Sequence, residues 1–282
     1  MNDSKNLDAL RKQIDELDKK LIELLSSRAS IVVEIGKNKR GSNTPIYAPH
    51  RERAVLDKVL AENKGPLSDK TIEAIYRELM SGSFQLEQPL KIAHLAPNGS
   101  FSHIAAIRHF GSSVECVGVP TIERVFREVA AGHCNYGLVP YENSTSGSIT
   151  DTLDAFQEHD VTIYAEALID IRHCLLCNGP TDEITRIASK PQVISQCRKW
   201  LTAMFPNVEV IETASSAQAV KLAKDDSHTA AIGSELASHE HDVEIAIENV
   251  QDRPENITRF LILAKESAQP SSEDKSTIMF TT

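Results

Sequence analysis

Two groups of side chains have the types and spacings to grip small anions. In the first ninety residues Arg11, Arg28, Lys39 and Arg51 supply positive charge, and Glu52, Ser83 and Glu87 supply oxygen atoms. Arg28 and Lys39 stand 11 residues apart. On a helix that is about 20° of rotation and ~16 Å of rise, so both long side chains lie on one face and could bracket one small anion. Arg11 precedes Arg28 by 17 residues, or ~25 Å along the same helix. It cannot reach that ligand from its own chain and would have to come from the other chain of an antiparallel pair. Arg51 and Glu52 open a second helix, and Ser83 and Glu87, four apart, share a face of a third.

The second group lies further on, in three segments. Val139-Pro140-Tyr141-Glu142-Asn143-Ser144 runs into Thr145-Ser146-Gly147-Ser148. Pro191-Gln192 precedes Gln196-Cys197. Asn256-Ile257-Thr258-Arg259-Phe260 follows near the end. Taken singly, such segments suit strand-ending and helix-capping turns. A helix N-terminus rich in hydroxyls is equally a ready anion site.

The elements that must carry these residues change character near residue 90. Leu7, Leu10, Ile14, Leu17, Leu21, Leu24, Ile31 and Ile35 recur at heptad spacing, which predicts one long helix from residue 5 to about 40. With Leu7 at the first core position, Arg28 falls where that seam expects Leu. A buried guanidinium needs an acid or an anionic ligand. So long a seam also needs a partner helix, which a second copy would provide. Gly41, Asn43, Pro45 and Pro49 mark a turn, Lys64-Gly65-Pro66 ends a second helix, and Ser68 or Asp69 caps a third that runs to about Glu87. Beyond Leu90 short β-rich runs alternate with helical ones: 91–96 then 101–110, 114–119 then 122–131, 136–140 then 149–159. After Val161 come 171–176, 186–188, 191–205, 209–212, 216–224, 230–232 and 244–248. This is the rhythm of an α/β domain, in two blocks that suggest two lobes and a cleft.

Arg11, Arg28, Lys39, Arg51-Glu52, Ser83 and Glu87 resemble the active-site set of the all-helical chorismate mutases, over residues 5 to about 90. The three later segments, with Leu95-Ala96-Pro97-Asn98-Gly99-Ser100-Phe101-Ser102-His103, Thr213-Ala214-Ser215-Ser216-Ala217 and Ala230-Ala231-Ile232-Gly233, resemble prephenate dehydratase over about 91–265. Together they are similar to the bifunctional enzymes that join both activities. The resemblance implies a multidomain chain. Residues 1–90 form an all-α mutase domain, an intertwined homodimer built through its N-terminal helices. Residues 91–268 form a two-lobed α/β dehydratase domain similar to type II periplasmic binding proteins. Residues 269–282 would be a linker and the start of a truncated ACT-like regulatory module, and a chain so cut would lack feedback inhibition by phenylalanine.

The substrates so implied are chorismate and prephenate, with no metal or organic cofactor. Arg11 from the partner and Arg28 would hold chorismate's carboxylates, with Arg51 alongside and Ser83 assisting. Glu52 would take the ring hydroxyl, and Lys39 and Glu87 the ether oxygen where negative charge develops. Many relatives carry Gln in place of Glu87, and only a protonated Glu donates a hydrogen bond, so mutase activity is expected to fall as Glu87 ionises. Many also carry Asp where this chain has Ala48, which removes one substrate contact. In the dehydratase, Thr258 would protonate the departing hydroxide. Glu142, Asn143 and Ser144 would line the first lobe. Ser100, Ser189, Gln192 and Thr213 are further candidates. Arg259 would stabilise the loop or a carboxylate, and Phe260 would be either a substrate contact or a core residue.

Composition sets bounds. Residues 1–90 carry 15 basic and 14 acidic side chains and residues 91–282 carry 15 and 26. So acidic a protein does not suit nucleic acid, which needs a basic surface. No apolar run approaches the ~20 residues that span a bilayer. The first residues lack the apolar core of a secretion signal. A cytoplasmic protein is expected, with its five cysteines as free thiols. Cys174 and Cys177, placed on one strand, would point to opposite faces and could not share a metal. Two readings of other kinds remain: a two-lobed sensor that binds without reacting, and a helical dimerisation arm with no chemistry of its own.

Overall fold

The computed structural model describes residues 2–39, 47–145, 147–270 and 274–278. The chain divides between Pro89 and Leu90 into two compact units.

Among the described residues the first unit is three helices, α1 (Asn2–Lys39), α2 (Pro49–Glu62) and α3 (Asp69–Glu87). The expected turn before Pro49 lies largely outside the described residues. Pro49 opens α2 where its missing N–H costs nothing. The Ser68 hydroxyl caps α3 by accepting from the Thr71 amide at 3.2 Å. Val32, Tyr47, Met80 and Phe84 are buried, and the Tyr47 and Phe84 rings meet edge to face at 5.9 Å. α1 is 38 residues, about 57 Å. Most of its heptad seam finds no cover within one chain: Leu17 is 62% and Leu24 68% exposed.

Among the described residues the second unit has two sheets. Its elements are β1 (Lys91–Leu95), α4 (Phe101–Phe110), β2 (Glu115–Val119), α5 (Ile122–Ala130), β3 (Tyr136–Asn143), β4 (Gly147–Ser148), α6 (Thr150–Glu158), β5 (Thr162–Asp170), β6 (Cys174–Leu176), β7 (Arg186–Ser189), α7 (Pro191–Gln196), α8 (Arg198–Met204), β8 (Glu209–Glu212), α9 (Ser216–Asp225), β9 (Thr229–Gly233), α10 (Glu235–His241), β10 (Ile245–Ile247) and β11 (Ile257–Ala264). The first sheet has the order β2-β1-β3-β11-β5, with β4 paired to β3, and the second β10-β6-β9-β7-β8. In the second sheet Leu175, Ile187, Ala230 and Ile232 pack towards α7 and α8. Leu176, Ala188 and Ala231 pack towards α9 and α10. Both faces are covered, so these strands read as continuous apolar runs.

The chain leaves the first sheet after β5 and returns to it as β11, antiparallel to both β3 and β5. The outgoing and returning segments are tied together. Ile171 N–H donates to Asn256 O at 2.7 Å, and His173 N–H to Gln251 Oε1 at 2.9 Å.

Two strands, β5 and β11, form where the sequence reading expected none, and three further expectations change. The strand expected over 171–176 is only Cys174–Leu176, because the preceding residues are this crossover. The helix expected over 191–205 divides at Cys197, where Asp252 of the returning segment accepts from the Lys199 and Trp200 amides at 3.0 and 2.9 Å and starts α8 afresh. The strand expected from Ser276 is absent over residues 276–278, and its remainder lies outside the described residues. All five cysteines are free. Burial pushes the Cys174 and Cys177 thiols up.

Two candidate active sites

In the helical unit α1 and α3 are joined by two polar rungs. Arg28 Nη1 donates to Ser83 Oγ at 2.7 Å. Lys39 Nζ donates to Glu87 Oε2 at 2.8 Å. Each helix supplies one member of each rung; the spacings placed each pair on one face of its own helix but did not pair the two helices. The helices close tightly beside the second rung, since a Cβ on Gly36 would lie 3.0 Å from the Glu87 Cα. Ser83 is buried, and its own hydroxyl proton goes to Leu79 O at 2.7 Å.

Glu52 reaches this unit's interior from α2. Its side chain is 13% exposed and its Oε2 lies 3.3 Å from Arg77 Nη1 of α3. Its Oε1 is buried and has no hydrogen-bond partner. Burial pushes the Glu52 carboxyl up to about 7, against the lowering influence of Arg77. Arg77 was not signalled by the sequence. It is six residues before Ser83, about 240° around the helix, because it addresses α2 while Ser83 addresses α1. Arg51 is exposed at the start of α2. Arg11 is exposed and pairs with Asp8 of its own helix at 3.5 Å. No single chain brings it to the two rungs.

In the second unit the centre is Thr258, 7% exposed on β11 and in register with Asn143 of β3. Asn143 is oriented unambiguously. The Thr145 amide, which can only donate, lies 2.9 Å from its Oδ1. Its Nδ2 therefore faces Asn256 Oδ1 and Thr258 Oγ1, both at 2.8 Å. Asn143 donates to the Thr258 hydroxyl oxygen, which polarises that group and leaves its proton for another acceptor. Ser144 fixes the same corner, its hydroxyl accepting from Ile257 N–H at 3.0 Å.

Glu142 and Arg259 lie on the reverse face, because successive residues of a strand alternate. Arg259 donates from Nε to Glu166 Oε2 at 2.8 Å. Its Nη1 is 4.0 Å from Glu142 Oε2, and its guanidinium lies 5.4 Å from the Tyr141 ring centroid. Glu166 is also paired with Lys275, and the cations hold its carboxyl low against the opposing effect of burial. The grouping of Glu142 with Asn143 and Ser144 on one wall is therefore corrected.

Most of the other candidates are employed inside the fold. Ser189 is fully buried and donates to Ile232 O at 2.7 Å. Phe260 is 2% exposed. Ser189 is a core group rather than cleft wall, which corrects the expectation, and of the two readings of Phe260 the core one fits its burial. Ser100 caps α4, accepting from the His103 amide at 3.3 Å and donating to Leu95 O at 3.0 Å. Thr213 Oγ1 donates to Ser215 O at 3.1 Å. Gln192 is exposed in the first turn of α7. The sequence did not signal Ser234, whose hydroxyl donates to Gly99 O at 2.6 Å and ties the second lobe to the loop before α4. His103, the last residue of the motif quoted from Leu95, received no role from the sequence; its Nδ1 accepts from Gly99 N–H at 3.1 Å.

A helical unit with paired cations and oxygens, joined to a two-sheet α/β unit with a polarised threonine, defines a class: two small-molecule catalytic modules in one chain. Residues 10–88 match the family model for chorismate mutase type II, and residues 92–268 match that for prephenate dehydratase. The chain is 43% identical to the bifunctional chorismate mutase/prephenate dehydratase of Pseudomonas aeruginosa, over 99% of this chain and 78% of that one. It is 38% identical to the Aquifex aeolicus protein of the same name, over 97% and 77%. Its fold is similar to the crystal structure of prephenate dehydratase from Arthrobacter aurescens, with a TM-score of 0.60 and 27% identity over 65% of this chain and 63% of that one.

The chain belongs to the bifunctional chorismate mutase/prephenate dehydratase family. It is an enzyme of phenylalanine biosynthesis that rearranges chorismate to prephenate and converts prephenate to phenylpyruvate.

Proposed function

We propose that the two reactions are carried out by the two polar centres described above, and that the mutase centre is completed in a cytoplasmic homodimer. Arg28 and Ser83 grip one carboxylate of chorismate, Arg11 of a second copy takes the other, and Arg51 stands alongside. Glu52 accepts the ring hydroxyl. Lys39 and Glu87 address the ether oxygen. The rearrangement needs no covalent help, so placement and preorganised charge carry it. The exposed α1 seam supports the dimer, because a row of leucines left in water is what a second α1 would cover. Five free thiols suit a reducing compartment, and recovery of the activity outside the cytoplasmic fraction would refute that placement. Among the described residues no helix is long and apolar enough to cross a membrane.

In the dehydratase, Thr258 gives its proton to the departing hydroxide and takes one back from solvent after product leaves. The bond to the ring carboxylate breaks, its electron pair completes the aromatic ring, and carbon dioxide, water and phenylpyruvate result. Asn143 holds the threonine, Ser144 holds the corner, and Ser100, Thr213 and Gln192 border the cleft. The observation that carries this assignment is the 2.8 Å hydrogen bond from Asn143 to Thr258. The test is Thr258→Ala. Dehydratase activity should fall by about 10² or more, the usual contribution of a positioned proton donor, while mutase activity holds. Unchanged phenylpyruvate formation from prephenate would remove Thr258 from the mechanism.

A further inference from the structure

Glu52 is held by one oxygen only. Oε2 lies 3.3 Å from Arg77 Nη1, whereas Oε1 is buried and has no partner. A buried acceptor left unpaired costs free energy that a donor from a ligand would recover. We propose that Arg77 is a positioning residue of the mutase site: it anchors Glu52 Oε2 so that Oε1 stays free to accept the hydroxyl of the substrate. This rests on the reading of Glu52 as a chorismate contact.

The charge of Arg77 matters as much as its geometry. Burial is the larger influence on Glu52 and drives the carboxyl to about 7, and Arg77 is the influence that opposes it. A carboxyl that stays protonated offers a donor where the substrate also offers one. The anchor thus keeps Glu52 an acceptor near neutral pH. Arg77 is the charged group facing Glu52 from α3. The α1 cations Arg28 and Lys39 are engaged by Ser83 and Glu87, and Arg51 and Arg53 adjoin Glu52 on α2 itself. A comparison between variants at position 77 leaves all of these in place.

The experiment is the pH profile of kcat/KM for chorismate in the whole protein, for the parent, Arg77→Gln, Arg77→Lys and Glu52→Gln, with prephenate turnover as the check on folding. The parent should lose activity on the acid side near pH 7. In Arg77→Gln that limb should move up by about one unit or more, lowering kcat/KM about fivefold or more at pH 7 and little at pH 9. Arg77→Lys should restore most of the shift, and Glu52→Gln should remove the limb. Dehydratase activity should be unchanged throughout. A limb that Glu52→Gln removes but Arg77→Gln leaves in place, or an equal loss at every pH in Arg77→Gln, overturns the role of Arg77 alone. A Glu52→Gln profile identical to the parent's overturns the contact reading and the proposal with it.

Discussion

Glu52 also links the mutase unit's stability to pH, independently of any substrate. Its carboxyl ordinarily titrates at 4.5 and in the fold at about 7. Below 4.5 both folded and unfolded chains bind the proton, and nothing is lost. Between 4.5 and 7 the unfolded chain releases it while the folded chain keeps it, so stability falls as pH rises, by a total on the order of 3 kcal/mol. Above 7 the loss is complete. Glu52→Gln should erase that slope. Urea unfolding followed by helical circular dichroism at pH 5 and pH 8 measures it: the parent's stability should drop between the two, the variant's much less. Equal drops would mean that Glu52 is already ionised at pH 5 in the folded chain. Legibility at this scale was uneven. Arg28 was visible because it breaks an apolar repeat. Arg77 was not, because its partner lies on another helix and no spacing along α3 announces it.

At the scale of elements, the helices and most strand cores followed their periodicities, whereas β5 and β11 and the sheet's connectivity were not foreseen. A local pattern fixes which residues alternate, and it says nothing about which strand lies beside which. β11 comes from the end of the domain to insert between β3 and β5, and only that insertion brings Thr258 against Asn143. The same alternation sends Glu142 and Arg259 to the other face, a separation that the contiguous motif conceals. Close approach of elements is equally invisible along the chain. Gly36 sits mid-pattern in α1, yet a side chain there would meet the Glu87 backbone at 3.0 Å. Gly36→Val should force α1 from α3 and displace the Lys39–Glu87 rung. The expected cost is about 1–3 kcal/mol of mutase-unit stability, with loss of mutase activity and full retention of dehydratase activity. Paired assays and a thermal melt check this, and an unaltered mutase would show that the helices can separate at this point without harm.

For the whole molecule, the question is why a three-helix unit devotes 38 residues to one helix. α1 is too long for α2 and α3 to cover, so Leu10, Leu17 and Leu24 remain at least half exposed or nearly so, at 49%, 62% and 68%. Arg11 lies at this uncovered end, ~25 Å from Arg28. Antiparallel pairing of two copies would bury the seams and carry each Arg11 towards the other chain's Arg28, so each site would draw on both chains. That arrangement predicts complementation. Arg11→Ala and Arg28→Ala should each be inactive as a mutase alone. When the two are unfolded together and refolded as a mixture, half the dimers carry one of each chain. Each such dimer has one site with both arginines intact and one with neither, so about a quarter of the parent's mutase activity should return under this isologous symmetry. Dehydratase activity should stay at the parent's level in all samples and confirm refolding. A mixture as inactive as its components would place Arg11 and Arg28 in separate roles and remove the shared site.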